Sequence, residues 1–398
     1  MKGFMAWDGN ILDPNEVTYK LSSTDIVEIE QALEGFKGLS FQVSLHMDLD
    51  GPETNTENFA LASLGPKLLA FAKAIHYGRG FYIVRGMNLA NYSIEDSTLI
   101  FLGISSYIGE QRAMQNPLGD MITHICKSVE KNRRSYRFHT ESEMCDIVAF
   151  HVRSQKDEVF KLASSWRVYN QLRHAKGKIL DKFANFPQQE RYARLSKPRT
   201  CFAQKEYRTD LFLYDGKAIL SYTGSCASDS FFGTYDLGPT QDVAMKAAES
   251  HVALRLRQGD LLFINNLALL HAIDDNQDED RHLVKLWLRN GSLAWKLPPV
   301  MQKNMDDLFQ SKMSRQIWAL RPNKRGGKGR KTGNSTEFSA TVNVKVEAGD
   351  DGSDGASVGG MSAGGSVGGG SFGGGSFGGG SFGGGSFGGG GVSMGGWS

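Results

Sequence analysis

In the stretch FHTESEMCDIVAFHV, Phe138 to Val152, a histidine and a glutamate stand one residue apart at His139 and Glu141. Glu143 and Asp146 follow, and then an apolar run begins. In extended backbone, residues i and i+2 project from the same face. His139 and Glu141 can therefore offer an imidazole and a carboxylate to one point in space. That is half of a metal site, and the other half must come from elsewhere in the chain.

Nine histidines are available, and the setting of His271 distinguishes it. It closes the apolar run LLFINNLALLH, which reads as a strand launched by the Gly259-Asp260 turn. Ten residues later RHLVKLWLRN begins. Its alternation places Arg281, Leu283, Lys285, Trp287 and Arg289 on one face. On an edge strand Lys285 would simply face solvent. A cation on the inner face of a strand is costly unless it meets an anion. Two histidines and one carboxylate form the facial triad of non-haem Fe(II) oxygenases, with further coordination positions left for ligands. A closed zinc site would need another Cys or His at recognisable spacing, and the chain has none. Asn265 and Asn266 read as residues that satisfy buried backbone near His271, and Cys145 as a small core residue.

The elements that must position these groups are visible in the periodicity. STDIVEIEQALEGF (Ser23 to Phe36), LGPKLLAFAKAI (Leu64 to Ile75) and Ile94 to Tyr107 predict helices. FYIV (Phe81 to Val84) predicts a strand. From Phe138 the apolar runs shorten, as in DIVAFHV and in LFLYDGKAILSY with its Asp215-Gly216 turn. Leading helices followed by short strands predict an α+β chain built around a β-sandwich or jelly roll.

Composition sets the outer bounds. The chain has 398 residues, 40% hydrophobic and 22% charged, with a net charge of +2, too small to argue for a nucleic-acid partner. Its four cysteines form no C-x-x-C pair, which predicts a reducing compartment. No signal-peptide core and no membrane-length apolar run is present, so a cytoplasmic protein without a membrane partner is expected. The chain divides at about residue 320. Beyond it RPNKRGGKGRK (Arg321 to Lys331) carries six basic residues in eleven, and four SFGGG repeats begin at Ser371. Of 48 glycines, 29 lie from Gly326 onward, so residues 321–398 are expected to be a disordered tail. The basic run reads as a solvated linker, or as a nuclear address or nucleic-acid patch.

HTE at His139, ASSWRVYNQL (Ala163 to Leu172), GDLLFINNLALLHA and RHLVKLWL, in this order, resemble the TauD/TfdA-like family of Fe(II)/2-oxoglutarate dioxygenases. GRGFYIVRGM (Gly78 to Met87) and GISSYIGEQR (Gly103 to Arg112) resemble its fungal members. The resemblance runs from about Trp7 to Trp295. It implies a double-stranded β-helix (jelly roll) flanked by helices across residues 1–320, with Fe(II) held by His139, Glu141 and His271. Glu141, where many members carry Asp, matches the clavaminate-synthase-like branch. Arg281 matches the arginine that grips the distal carboxylate of 2-oxoglutarate, and Lys285 a position that in some relatives holds an anionic substrate. The pair lie roughly 13 Å apart along a strand at ~3.3 Å per residue, which suits two different anions. Phe160 stands where relatives carry a hydroxyl that also binds 2-oxoglutarate.

Two functions of different classes follow. One is a dioxygenase that uses dioxygen to couple conversion of 2-oxoglutarate to succinate with oxidation, by hydroxylation, of a small and anionic organic substrate. The other is a catalytically weak relative acting as a binding or scaffold protein through its basic, Phe/Gly-rich tail. Either way, deleting residues 326–398 is expected to leave the melting temperature almost unchanged, because so glycine-rich a segment contributes little to a core. Thermal unfolding of the truncated and full chains checks this.

Overall fold

The computed structural model describes residues 1–43, 54–116, 119–126, 137–141, 145–175, 209–222, 238–274, 280–310 and 316–322. The expected disordered tail, from residue 323 on, lies outside them. The elements run β1 (Thr18–Lys20), α1 (Ser23–Val43), α2 (Leu64–Tyr77), β2 (Phe81–Arg85), α3 (Ile94–Ile108), β3 (Gln111–Arg112) and β4 (Thr123–Cys126). Then come β5 (Ile147–Val152), β6 (Glu158–Ser164), α4 (Ser165–Ala175), β7 (Thr209–Tyr214), β8 (Lys217–Tyr222) and α5 (Gly238–Glu249). The last are β9 (Val252–Leu256), β10 (Leu261–Asn265), β11 (Leu269–Ile273), β12 (His282–Arg289) and α6 (Pro299–Gln310). The three helices read from periodicity are all present.

A seven-stranded sheet runs in the order β1-β2-β10-β5-β12-β3, with β4 also paired to β12; a second sheet is β11-β6-β9, and β7-β8 form a hairpin. Alternation along the central strands feeds two cores. Leu262, Ile264, Val148, Phe150, Leu283 and Trp287 meet Phe160, Leu162, Val252 and Leu254 of the smaller sheet. Leu261, Phe263, Ala149, Val284 and Leu286 face the opposite way, onto residues of α1, α2 and α3 such as Phe36, Leu68 and Phe101. The outward residues of β9, Ala253 and Arg255, are exposed, while on the same face Ala163 of β6 and Leu270 of β11 are buried against α4, β8 and α5. The hairpin turn has Asp215 and Gly216 at φ +48° and +72°, the left-handed pair that matches strand twist. Gly259, at φ +89°, lies so close to Met87 that an added Cβ would sit 2.0 Å from the Met87 carbonyl oxygen. Only glycine fits that turn.

One expectation is corrected here. LLFINNLALLH is not a single strand: β10 belongs to the large sheet and β11 to the small one. At Asn265–Ala268 the chain turns and changes sheet, with the Ala268 N–H donating to the Asn265 carbonyl at 3.2 Å. No Gly or Pro marks this turn, and its apolar residues remain buried, so periodicity runs through it unbroken.

The helix-facing side of the large sheet carries three histidines. His124 and His151 both pair across the ladder with Val284. His124 Nε2 lies 2.7 Å from the Ala319 carbonyl and its Nδ1 2.9 Å from His282 Nε2. A carbonyl only accepts, so His124 carries its hydrogen on Nε2 and His282 donates to its Nδ1. His151 is fully buried, its ring 5.6 Å from that of Phe101, and neither ring nitrogen has a hydrogen-bond partner. Burial first, and then nearby cationic or histidine groups, hold His151 well below the ordinary value and His282 at about 3. Such groups are neutral in the folded protein and charged in the unfolded chain once pH falls below about 6.5. Stability is thus present above that pH and lost as pH falls. His151→Leu is expected to stabilise the protein at neutral pH by about 1–3 kcal/mol, the penalty of buried unpaired polar atoms, and to flatten the acid limb. Denaturant midpoints at about pH 7.5 and about pH 5 check both effects.

Candidate metal centre

The segment carrying His139 is laced between two sheets. The His139 N–H donates to the His271 carbonyl at 3.0 Å, and the His271 N–H donates back at 2.9 Å. One residue on, the Thr140 N–H donates to the Tyr222 carbonyl at 2.6 Å, and the Tyr222 N–H donates to Thr140 Oγ1 at 2.9 Å. Successive residues of an extended chain turn their backbone groups to opposite edges, so 139 pairs with β11 and 140 with β8. His139 and Glu141 are left on one face.

Ligating atoms of His139, Glu141 and His271 all lie within 4.8 Å of one another. His271 Nε2 is 3.8 Å from Glu141 Oε1, and the two imidazole centroids are 4.3 Å apart. His139 Nδ1 donates to the Arg137 carbonyl at 2.7 Å, which leaves Nε2 as the free lone pair. His271 is 1% exposed, yet neither of its ring nitrogens has a hydrogen-bond partner. Buried orphan nitrogens facing a carboxylate fit a divalent cation better than they fit a plain core. His139 and Glu141 are also held in the protonation states that a metal needs. Burial, followed by the neighbouring His271, pushes His139 down to about 3. For Glu141 burial acts upward, but Lys285 and then the two histidines outweigh it and hold the carboxylate well below its usual range.

Lys285 belongs to this cluster. Its Nζ donates to Glu141 Oε1 at 2.8 Å and lies 5.4 Å from the Trp287 ring centroid. β12 is an interior strand between β5 on one side and β3 and β4 on the other, and the lysine side chain is 15% exposed. Phe150, directly across from Lys285, has its ring 6.0 Å from His271 and 5.0 Å from Phe160. Phe160 is fully buried. Where the resemblance implies a hydroxyl, the chain builds an aromatic wall.

Arg281, expected at the co-substrate, is paired with an acid of the small sheet. It precedes β12 and is 4% exposed, with Nε 3.1 Å and one terminal nitrogen 2.6 Å from Glu158 Oε2. That nitrogen also donates to the Asp274 carbonyl, and Ser154 Oγ donates to Glu158 Oε1 at 2.7 Å. Glu158 lies 123 residues away in sequence, and nothing in the local pattern announces the pair. Of the other acids near the histidine, Glu143 lies outside the described residues. Asp146 is 2% exposed, and Arg289 Nε sits 3.4 Å from its Oδ2. Burial outweighs Arg289, and Asp306 and Glu110 add to it, so Asp146 is raised to about 7. Cys145 is buried in the core, as read. Thr140, which seats the segment against β8, left no signal of its own in the sequence.

A sheet-borne His-Glu-His cluster of this kind defines a non-haem iron oxygenase. No protein-family profile matches the chain, but individual proteins do. The taurine hydroxylase-like protein SAT17 of Stachybotrys chartarum (strain CBS 109288 / IBT 7711) is 30% identical over 80% of this chain and 88% of its own length. FR-33289 synthase of Streptomyces rubellomurinus (strain ATCC 31215) is 23% identical over 72% of this chain and 89% of its own. Among solved structures, asparagine oxygenase with Fe(II), 2S,3S-3-hydroxyasparagine and succinate has a TM-score of 0.47 at 13% identity, covering 69% of this chain and 93% of that one. The oxygenase OrfP with Fe and alpha-ketoglutaric acid gives 0.44 at 14% identity, covering 69% and 94%. The chain belongs to the taurine hydroxylase-like, or TauD-like, family of iron- and 2-oxoglutarate-dependent dioxygenases.

The buried pair at Arg281 yields a test. Arg281→Ala strands the Glu158 carboxylate and is expected to cost about 3–5 kcal/mol of stability, whereas Arg281→Met with Glu158→Leu should recover most of the loss. Chemical denaturation of the metal-free variants measures it.

Proposed function

We propose that this chain hydroxylates a small organic substrate bearing an anionic group, on a double-stranded β-helix core, with 2-oxoglutarate as co-substrate. The observation that carries the reading is the convergence of His139, Glu141 and His271 beside the single ammonium of Lys285. His139 through Nε2, His271 and the Glu141 carboxylate would hold Fe(II). When bound, iron supplies the oxidising chemistry that couples decarboxylation of 2-oxoglutarate to attack on a C–H bond. The protein's share is positioning and exclusion of water. Phe150 and Phe160 form a dry wall beside His271, and Lys285 is placed to hold a carboxylate bound next to Glu141. Arg281 is the poorer candidate for that carboxylate, because a ligand would have to displace Glu158 from a buried, hydrogen-bonded pair. The name of the taurine hydroxylase-like relative points the same way, to hydroxylation of a small molecule with an anionic end.

The test is succinate formation by purified protein with Fe(II), 2-oxoglutarate and dioxygen, beside anaerobic 2-oxoglutarate titration of iron-loaded variants. Wild type is expected to form succinate and His271→Ala to bind no stoichiometric iron. Lys285→Ala should weaken 2-oxoglutarate by roughly 30-fold or more, as loss of a paired charge predicts at about 2–5 kcal/mol. Full affinity in Lys285→Ala, with loss in Arg281→Lys, would return the co-substrate to Arg281. Iron and 2-oxoglutarate binding without any succinate would favour a binding protein instead.

A further inference from the structure

We infer that Asn266 is a positioning residue for the metal, acting through Glu141; this rests on the metal reading of the triad. Asn266 is 1% exposed at the turn where the chain leaves β10 for β11. Its Oδ1 accepts the Glu141 N–H at 2.7 Å. Its Nδ2 donates to the Cys145 carbonyl at 3.1 Å and to the Glu141 carbonyl at 3.4 Å. Its own backbone N–H donates to the Asp146 carbonyl at 2.9 Å. One planar amide therefore grips the chain at 141 and again at 145, and its backbone grips it at 146.

An amide is suited to this, because a single rigid head carries an acceptor and two donors. An aspartate would aim a carboxylate at two carbonyls, and a shorter side chain would reach only one of the contacts. The neighbouring Asn265 ties the same turn to the helix layer. Its Nδ2 donates to the Ile75 carbonyl at 3.2 Å, its Oδ1 accepts from Leu267 N–H at 3.0 Å, and its N–H donates to the Gly80 carbonyl at 2.8 Å. The turn is thus anchored on one side and holds the ligand segment on the other. His271 follows Asn266 by five residues on β11, so this turn sets two of the three ligands relative to each other. His139 and Thr140 have strand partners for their backbone, while the Glu141 N–H has the Asn266 side chain. The Cα from which the carboxylate swings is placed by that bond.

Merely satisfying buried backbone would give Asn266 a role in stability alone. Positioning predicts coupling to Glu141. The probe is Co(II) titrated into the full metal-free chain and followed by its visible absorption. Asn266→Ser is expected to weaken Co(II) by about 10-fold or more, the usual cost of losing a partner behind a ligand, and Asn266→Ala by more. In a Glu141→Ala background, where only the histidines remain, Asn266→Ser should cause no additional loss. Hydrogen exchange adds a metal-free readout that also serves if Asn266→Ala does not fold. In Asn266→Ser the Glu141 amide should exchange faster while those of His139 and His271 stay protected. Unchanged Co(II) affinity, equal losses in both backgrounds, or undisturbed protection at Glu141 overturns the inference. Wild-type Co(II) binding that survives His271→Ala would instead overturn the metal reading beneath it.

Discussion

Two backbone hydrogen bonds between His139 and His271 set the geometry of the whole centre. Each contributes only about 1 kcal/mol net, but together they fix a register. A shift by one residue would turn either side chain to the opposite face. The register is supported outward: β11 pairs with β6, and β6 with β9. On its other side the His139 segment is seated against β8 through Thr140. The small sheet can therefore be read as a mounting for one histidine that recruits the second from a segment with little regular structure of its own.

Charge is placed around this mounting with two different purposes. Arg281 and Arg85 each grip a carboxylate, Glu158 or Asp260, through two guanidinium nitrogens. Forked pairs of this kind are rigid and are lost only at high cost. At Glu141 the partner is a lysine, a compact charge on a flexible stem. It meets Glu141 through one 2.8 Å contact. The guanidinium fastens structure through a fork, and the ammonium through a single point of contact.

Much of this could be read from the sequence. Helices announce themselves through apolar spacing, and His139 with Glu141 through the two-residue period of extended chain. His271 was found by its place after a buried apolar run. What could not be read has a common cause: the deciding partner lies far along the chain. Arg281 obeys the alternation that would aim it inward, but Glu158 captures it just before β12 begins. Lys285 was left open in the sequence between an inward cation and a solvent-facing one, and its contact with a triad carboxylate depends on how β12 packs across 144 residues of sequence. The division of LLFINNLALLH was hidden because both halves and the turn between them are buried, and its one polar mark, Asn265-Asn266, reads equally as residues that satisfy buried backbone.

Strand β5 alternates between two incompatible environments. Phe150 faces the triad and His151 the helix layer, where its ring lies against Phe101. The two differ by one position, so a single-residue deletion just upstream would carry His151 into the slot of Phe150. An imidazole would then stand beside His271, Val152 would fill the histidine's slot, and Phe150 would take the place of Ala149 among the helices. The fold thus keeps a fourth potential ligand, and a third imidazole, one frame away from its centre. In evolutionary terms, a change of coordination number is separated from the present arrangement by an indel rather than by a substitution.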